Sequence, residues 1–155
     1  MDRLRLAALD QDDLQVLSAY CQDAVLKLGS CLYDPRRRQF VVEMNRFAWE
    51  AAQPRPRLAF WRRPHYERRR SLLHFDRVNA VSRFHLDAAL PEQVLALLAI
   101  RFTETQAPSG TVELVFAGGS GIRLDVECIE AQLSDLGAAW STDARPDHDR
   151  PPTIG

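Results

Sequence analysis

Two stretches of alternating apolar and polar residues, joined by a glycine-rich turn, constrain the fold of this chain more than any other feature. The stretches are residues 111–116 and 122–128, and the turn is Gly118–Gly121. Successive side chains of a strand point to opposite faces, so the alternation predicts an antiparallel hairpin with one buried face. The residues predicted to share that buried face are Val112, Leu114, Phe116, Ile122, Leu124 and Val126.

Four further segments have strand character, which brings the predicted total to about six. Residues 95–103 extend the hairpin into a meander through the turn Ala107–Gly110. Residues 25–33 and 39–49 are rich in β-branched and aromatic residues and flank Asp34-Pro35, which predicts a second hairpin. Residues 72–84 form the last candidate, predicted as a single strand.

Helices are predicted at both ends of this series of strands. Asp10 is a suitable N-cap for a helix whose apolar residues have helical spacing: Leu14, Leu17, Cys21 and Ala24. Near the C-terminus, Ile129, Leu133 and Leu136 are spaced i, i+4, i+7 ahead of Gly137, which predicts a second helix. A strand continuing through Ala131 and Leu133 is the alternative.

These elements predict an α+β fold with a strongly curved antiparallel sheet or partly open barrel of about six strands. The N-terminal helix would cover the sheet, and the C-terminal helix would plug it, an element order analogous to that of pleckstrin-homology domains. A chain of 155 residues fits one domain. We expect that domain to span residues 1–140, and residues 141–155, rich in Asp, Arg and Pro, to form a disordered tail.

Composition argues against several classes of protein. The three cysteines are widely spaced, so neither a disulfide framework nor a zinc site is predicted, and no cofactor is expected. The first residues lack the apolar core of a signal peptide, and the longest apolar run, Val94–Ile100, is far shorter than the ~20 residues that span a bilayer. We therefore expect a cytoplasmic protein without a membrane partner.

The charge distribution is strongly polarised although the formal net charge is only −1. Thirteen of the nineteen arginines lie between Arg36 and Arg83, where there are four acids, so this region carries +9. The remainder has seven bases and seventeen acids and carries −10. Such a chain presents one region that attracts anions and another that repels them. Some strand arginines, such as Arg46, can point to either sheet face, so +9 overstates any single patch.

The segment around residues 61–70 combines guanidinium groups with aromatic rings and is the predicted anion-binding site. Its candidate residues are Trp61, Arg62, Arg63, Tyr66, Arg68, Arg69 and Arg70. Such a composition binds single-stranded nucleic acid, because rings stack on bases while cations contact phosphates. The alternative is a solvated loop whose rings fold back on the domain. That interpretation has in its favour that charge runs are usually solvated and that no phosphate-binding motif occurs.

The remaining motifs have simpler interpretations. His74-Phe75-Asp76 and His85-Leu86-Asp87 could each place an imidazole beside a carboxylate, but no third ligand or nucleophile follows at a motif spacing. Both are therefore interpreted as ordinary strand histidines. Gly118–Gly121 joins two strands, whereas phosphate-binding loops join a strand to a helix, so it is interpreted as turn chemistry. No catalytic or metal-binding residue is predicted.

Several segments together resemble a known family. They are Leu4–Leu6, Gln22–Lys27, Asn45–Glu50, His74–Val78, and Phe116–Gly119 continuing through Leu124–Glu130. The chain resembles the uncharacterised bacterial family called domain of unknown function 2948, from Leu4 to about Trp140. The resemblance implies no activity and carries no functional residues onto this chain.

Three hypotheses about function follow. The first is a non-enzymatic binding or adaptor module whose arginine and aromatic residues engage an anionic partner, either RNA or an acidic protein. The second is a structural protein that self-associates into a homo-oligomer, its acidic helix meeting the arginine segment of another copy. The third is an enzyme acting on small molecules, with His74 as base and Asp76 as its orienting partner.

Overall fold

The computed structural model describes residues 3–47 and 68–138. This part of the chain contains ten strands, one α-helix and a single 3₁₀ turn, Leu28–Ser30. The helix, α1, is Gln11–Cys21. The strands are β1 Arg5–Ala8, β2 Val25–Lys27, β3 Cys31–Asp34, β4 Gln39–Phe47, β5 Arg68–Phe75, β6 Val78–Phe84, β7 Val94–Glu104, β8 Gly110–Phe116, β9 Gly121–Val126 and β10 Ala131–Ala138.

The strands form one antiparallel sheet that is not closed within these residues. Its order is β1-β10-β5-β4-β2-β7-β8-β9-β6, and β3 pairs with β4 beside β2. The predicted antiparallel sheet with an N-terminal helix is therefore confirmed. The predicted count of six strands is too low for three reasons: the segments 25–33 and 72–84 each contain two strands, the segment predicted as a C-terminal helix is a strand, and β1 was not predicted.

Helix α1 lies where its sequence signals place it. The Asp10 side chain accepts a hydrogen bond from the Asp13 backbone N–H at 2.7 Å, so the predicted N-cap is confirmed. Leu14, Leu17 and Cys21 are buried, which gives the helix the expected single apolar face. That face packs into the core shared by both halves of the sheet.

The predicted meander is also confirmed. Strands β7, β8 and β9 pair in sequence, and the six apolar residues predicted to share a face are all buried. Gly118 and Gly119 have φ values of +94° and +89° in the β8–β9 turn, a conformation that glycine adopts without strain. The glycines therefore serve a hairpin turn and not a phosphate-binding loop.

The predicted C-terminal helix is wrong, and the alternative strand is what forms. Residues 131–138 are β10, which lies between β1 and β5. Ala131, Leu133 and Asp135 point inward, and Leu136 is 44% exposed. The strand is only the alternative prediction because Asp135, a charged residue, occupies an inward position where the alternating pattern requires an apolar one. No helix is formed here to plug the sheet in the manner of a pleckstrin-homology domain.

The segment predicted as one strand over residues 72–84 is two strands. Strand β5 ends at Phe75 and β6 begins at Val78 in the other half of the sheet. Between them Arg77 has a φ of +57°, which turns the chain. This turn lets both Phe75 and Val78 be fully buried, whereas one straight strand would place them on opposite faces.

The first hairpin forms with an interrupted arm. Strands β3 and β4 pair around Asp34-Pro35 as predicted, but the 3₁₀ turn separates β2 from β3. Strand β2 then pairs with β7, while β3 approaches the start of β6. Between β3 and β6 the Tyr33 hydroxyl donates a hydrogen bond to the Val78 carbonyl at 2.8 Å.

The predicted limits of the domain near residue 140 and the predicted tail 141–155 lie outside the described residues. None of the helices within residues 3–47 and 68–138 has the length and apolar character needed to cross a bilayer.

Candidate anion-binding surface

Three consecutive arginines begin strand β5, and the pleat of the strand separates them. Arg68 is exposed, Arg69 is 4% exposed and Arg70 is half-buried. They lie opposite Phe47, Arg46 and Asn45 of β4, respectively. Pairing with β4 and β10 makes residues 68–70 part of a strand and not of a loop. Arg69 points inward, away from the other two.

The inward side holds a buried ion pair between β4 and β10. Arg46 is completely buried, and its guanidinium donates from Nε to Asp135 Oδ1 and from Nη2 to Asp135 Oδ2, both at 3.1 Å. Two parallel hydrogen bonds of this kind match the planar guanidinium to the carboxylate. The pair connects residues 89 positions apart in sequence.

Strand β5 and the N-terminal segment complete this buried cluster. Ser71 Oγ donates to Asp135 Oδ1 at 2.7 Å and accepts from Arg46 Nε at 3.1 Å. Arg69 Nη1 lies 3.4 Å from Asp135 Oδ2, and the Leu4 backbone N–H donates to the same oxygen at 2.9 Å. We call Arg46, Arg69, Ser71 and Asp135 the buried cluster.

The buried cluster keeps Asp135 ionised. Burial alone would raise the pKa of its carboxyl, but the hydrogen bonds from Ser71 and the Leu4 backbone, with the charge of Arg46, hold that pKa below its usual value. Arg46 also lies close enough to Cys21, at the end of α1, for its charge to oppose the effect of burial on that thiol. The cluster thus ties β4, β5 and β10 together beside the helix, and its members are enclosed by protein.

The outward side of the same strands carries the accessible cations. The guanidinium carbon of Arg68 lies 5.0 Å from the centroid of the Phe47 ring, a cation–π contact. Within the described chain no carboxylate forms an ion pair with Arg68. Arg70, next but one on the strand, lies 3.5 Å from Glu43 Oε2, measured from its Nε.

Two further residues belong to this outward side by register. Asn45 lies opposite Arg70 and is exposed. Arg5 of β1 is exposed and lies opposite Ser134, which in turn lies opposite Leu72, two residues from Arg70 on the same face. We call Arg5, Asn45, Phe47, Arg68 and Arg70 the basic face. Its position could not be predicted from sequence, since it depends on the pairing of β1, β10, β5 and β4.

Four of the predicted anion-binding residues lie outside the described residues: Trp61, Arg62, Arg63 and Tyr66. Of the three that are described, Arg68 and Arg70 come together on the basic face, and Arg69 belongs to the buried cluster. By sequence, strand arginines can point to either face of the sheet. The sequence contains no signal for which arginines point inward and which point outward.

The two histidine-containing motifs differ in structure. His74 Nε2 lies 3.5 Å from Asp76 Oδ2, and Asp76 Oδ1 accepts from Gln39 Nε2 at 3.0 Å. The carboxylate of Asp87 instead accepts from the Ala89 backbone N–H at 2.9 Å, which stabilises a turn. Within residues 3–47 and 68–138 no group of three or more His, Cys, Asp or Glu side chains is arranged to hold a metal ion.

Two other arginines of the basic region, Arg38 and Arg77, form ion pairs at the opposite end of β4. Arg38 pairs with Glu127 and also donates to Asn79 Oδ1 at 3.2 Å. Arg77 pairs with Glu130 at 3.1 Å and with Glu127 at 3.7 Å. Within the described chain Arg38 and Arg77 are therefore paired with acids, unlike Arg68.

Comparison with known proteins identifies a family. A family model described as "Protein of unknown function (DUF2948)" matches residues 4–148, which confirms the resemblance over nearly the whole chain. No curated protein and no solved structure matches.

Proposed function

The chain belongs to the DUF2948 family, and from the geometry of its basic face we propose that it is a non-enzymatic, cytoplasmic binding or adaptor module that engages an anionic partner. One observation supports this proposal above the others. Arg68 presents an exposed guanidinium on strand β5, and within the described residues its contact is an aromatic ring and not an acid. A cation that pairs with no carboxylate among the described residues is not neutralised by them, so it attracts an external anion.

The surroundings of Arg68 extend the cationic area. Arg5 and Arg70 lie on the same face, and Glu43 neutralises part of the charge of Arg70. In sequence, Arg62 and Arg63 with Trp61 and Tyr66 shortly precede Arg68. The proposal includes these four residues as further contacts for the partner. RNA and acidic proteins both offer the required negative charge.

Binding to immobilised heparin, a general polyanion, tests this proposal. We expect the protein to be retained at low salt and released as salt rises, because neutralising several anionic groups releases counter-ions. The variant Arg68→Gln should elute at lower salt. Arg123→Gln is the matched control, because Arg123 also lies over a phenylalanine ring, Phe84 at 4.4 Å, but pairs with Glu113 at 2.7 Å. No retention of the unmodified protein at low salt would exclude an anion-binding role.

Self-association is the alternative function, and the charge distribution on α1 favours it. Asp10, Asp12 and Asp13 are all exposed around the start of the helix, so one copy offers an acidic patch to the basic face of another. Light scattering over a range of protein and salt concentrations distinguishes the two. A monomer at every condition excludes the alternative, and a salt-sensitive oligomer that loses heparin binding on assembly supports it.

An enzyme with His74 as base is the third candidate. The 3.5 Å contact between His74 and Asp76 favours it, since a carboxylate can orient an imidazole. Both side chains lie on the sheet surface and are partly exposed. A screen for hydrolysis of small esters and phosphoesters, compared with His74→Ala, tests this candidate.

A further inference from the structure

The basic face has a regular arrangement of three different side-chain chemistries. Phe47 and Arg68 lie opposite each other on β4 and β5, and Asn45 and Arg70 form the next outward pair. Residues two apart on a strand are separated by about 6.7 Å, and neighbouring strands by about 4.8 Å. An aromatic ring, an amide and two guanidinium groups therefore occupy one small area of the sheet.

From this arrangement we propose that the anionic partner is a single-stranded nucleic acid that lies across the basic face. Its bases would stack on Phe47 and the Arg68 guanidinium and contact the Asn45 amide, while its phosphates would contact Arg5, Arg68 and Arg70. This inference rests on the proposed function and specifies its ligand class. Exposed sheet faces with stacking side chains bind unpaired bases in several unrelated nucleic-acid-binding folds.

The chemistry of the face favours nucleic acid over an acidic protein segment. Cations alone are sufficient to bind the carboxylates of an acidic peptide, so such a partner does not require an aromatic ring and an amide beside them. Bases use both, because every base has a π-face and Asn can form paired hydrogen bonds with a base edge. Binding of a single strand does not require a deep groove in the protein, because the unpaired bases can lie on a flat surface.

Glu43, an acid on the same side of the sheet as Arg70, leads to a second, independent prediction about nucleic-acid binding. Glu43 lies 3.5 Å from Arg70 and would repel a phosphate placed there. Removing its charge should therefore make this part of the basic face more attractive to a phosphate. Glu43→Gln is expected to bind nucleic acid several-fold more tightly, whereas an apolar or hydrogen-bonding ligand without charge would not respond in this way.

The decisive experiment compares two labelled oligomers of equal charge. The full chain is titrated by fluorescence anisotropy at 50 mM salt with a 12-nucleotide single-stranded RNA of mixed sequence and with a 12-unit abasic ribose-phosphate oligomer. We expect the abasic oligomer to bind at least about tenfold more weakly, because it has no bases to stack. Equal binding of the two oligomers would overturn the inference while leaving an anion-binding function intact. Binding of neither oligomer, with heparin retained, would also overturn it and would favour an acidic protein partner.

Variants locate the binding surface. Asn45→Ala and Arg68→Gln each change an exposed residue and are expected to weaken RNA binding by about tenfold, with Arg68→Gln also lowering the slope of log affinity against log salt by about one. Arg123→Gln on β9 serves as the matched control and should bind like the unmodified protein. If Asn45→Ala and Arg68→Gln also bind RNA like the unmodified protein, the basic face is not the site and the inference fails.

Discussion

Arg46 and Asp135 form a bidentate ion pair in the interior, with both side chains fully enclosed and with the nearest nitrogen and oxygen atoms 3.0 Å apart. Each charge has lost its water, so the pair is tolerated only because Ser71, Arg69 and the backbone of Leu4 supply further hydrogen bonds. The same contacts hold β10 between β1 and β5. The buried cluster therefore supports the strands whose opposite sides form the basic face.

Replacing Asp135 should be strongly destabilising. Asp135→Asn leaves the buried guanidinium of Arg46 without its counter-ion, and we expect the free energy of unfolding to fall by about 3–5 kcal/mol. Urea denaturation followed by circular dichroism measures it. Glu113→Gln, which breaks the partly exposed ion pair with Arg123, is the control and should cost less than about 1 kcal/mol. Similar losses in the two variants would contradict this account of the cluster.

Acid should weaken the cluster in a way that Ser71 controls. The folded-state pKa of Asp135 is lowered, so its contribution to stability is present above the unfolded pKa of about 3.9 and is lost as pH falls through the folded pKa. Ser71→Ala removes one hydrogen bond to the carboxylate and should raise the folded pKa. We expect a loss of about 1–3 kcal/mol at pH 7. That difference should shrink as pH falls below about 4.

A second serine provides the control for this pH series. Ser18 Oγ accepts a hydrogen bond from the Ile100 backbone N–H at 2.9 Å and contacts no ionised group through it. Ser18→Ala should therefore lower stability by a constant amount between pH 7 and pH 3. Urea midpoints measured at half-unit intervals compare the variants. A constant difference for Ser71→Ala as well would show that the hydroxyl does not influence the titration of Asp135.

Neighbouring arginines on β5 should have opposite phenotypes. Arg69→Gln removes a cation from the buried cluster and is expected to cost about 1.5–3 kcal/mol of stability. Arg68→Gln changes an exposed side chain and removes its cation–π contact with Phe47, so it should alter stability by less than about 1 kcal/mol while weakening anion binding. Thermal unfolding and heparin elution of both variants measure the contrast. Loss of stability in Arg68→Gln would mean that the residue is structural.

Two of the three cysteines should be unreactive in the folded protein. Burial raises the pKa of Cys21 and of Cys31 to about 12, although the nearby charges of Arg46 and Arg83 act in the opposite direction. Since the thiolate is the nucleophile, iodoacetamide at pH 8 should modify half-buried Cys128 first. Peptide mass spectrometry with and without urea identifies the modified sites. Rapid native modification of Cys21 would contradict its burial.

The N-cap of α1 should contribute a measurable amount of stability. Asp10→Ala removes the hydrogen bond to the Asp13 backbone N–H, with an expected cost of about 1 kcal/mol. Asp12→Ala is the control, because Asp12 lies in the same turn without capping the helix, and its effect should be a few tenths of a kcal/mol. Equal effects would indicate a contribution of charge alone.

Local sequence patterns determined those elements of secondary structure that depend only on residues close together in sequence. The cap at Asp10 and the apolar face of α1 predict the helix, and the alternation around Gly118–Gly121 predicts the β8–β9 hairpin, because both depend on neighbours within a few residues. The alternation of apolar and polar residues did not predict strand β10, because Asp135 is a charged residue at an inward position. The inward position of this charge is explained by its ion pair with Arg46, which lies 89 residues earlier in the sequence.

The tertiary structure determined which arginines are buried and which are exposed. Composition determined that a cationic region exists between Arg36 and Arg83, but Coulomb interactions depend on distance and burial, which composition does not contain. Pairing of β5 with β4 and β10 turns Arg69 into the core beside Asp135 and turns Arg68 outward over Phe47. Adjacent residues of identical chemistry thus have different roles, because a strand sends successive side chains to opposite faces and only the assembled sheet determines which face is buried.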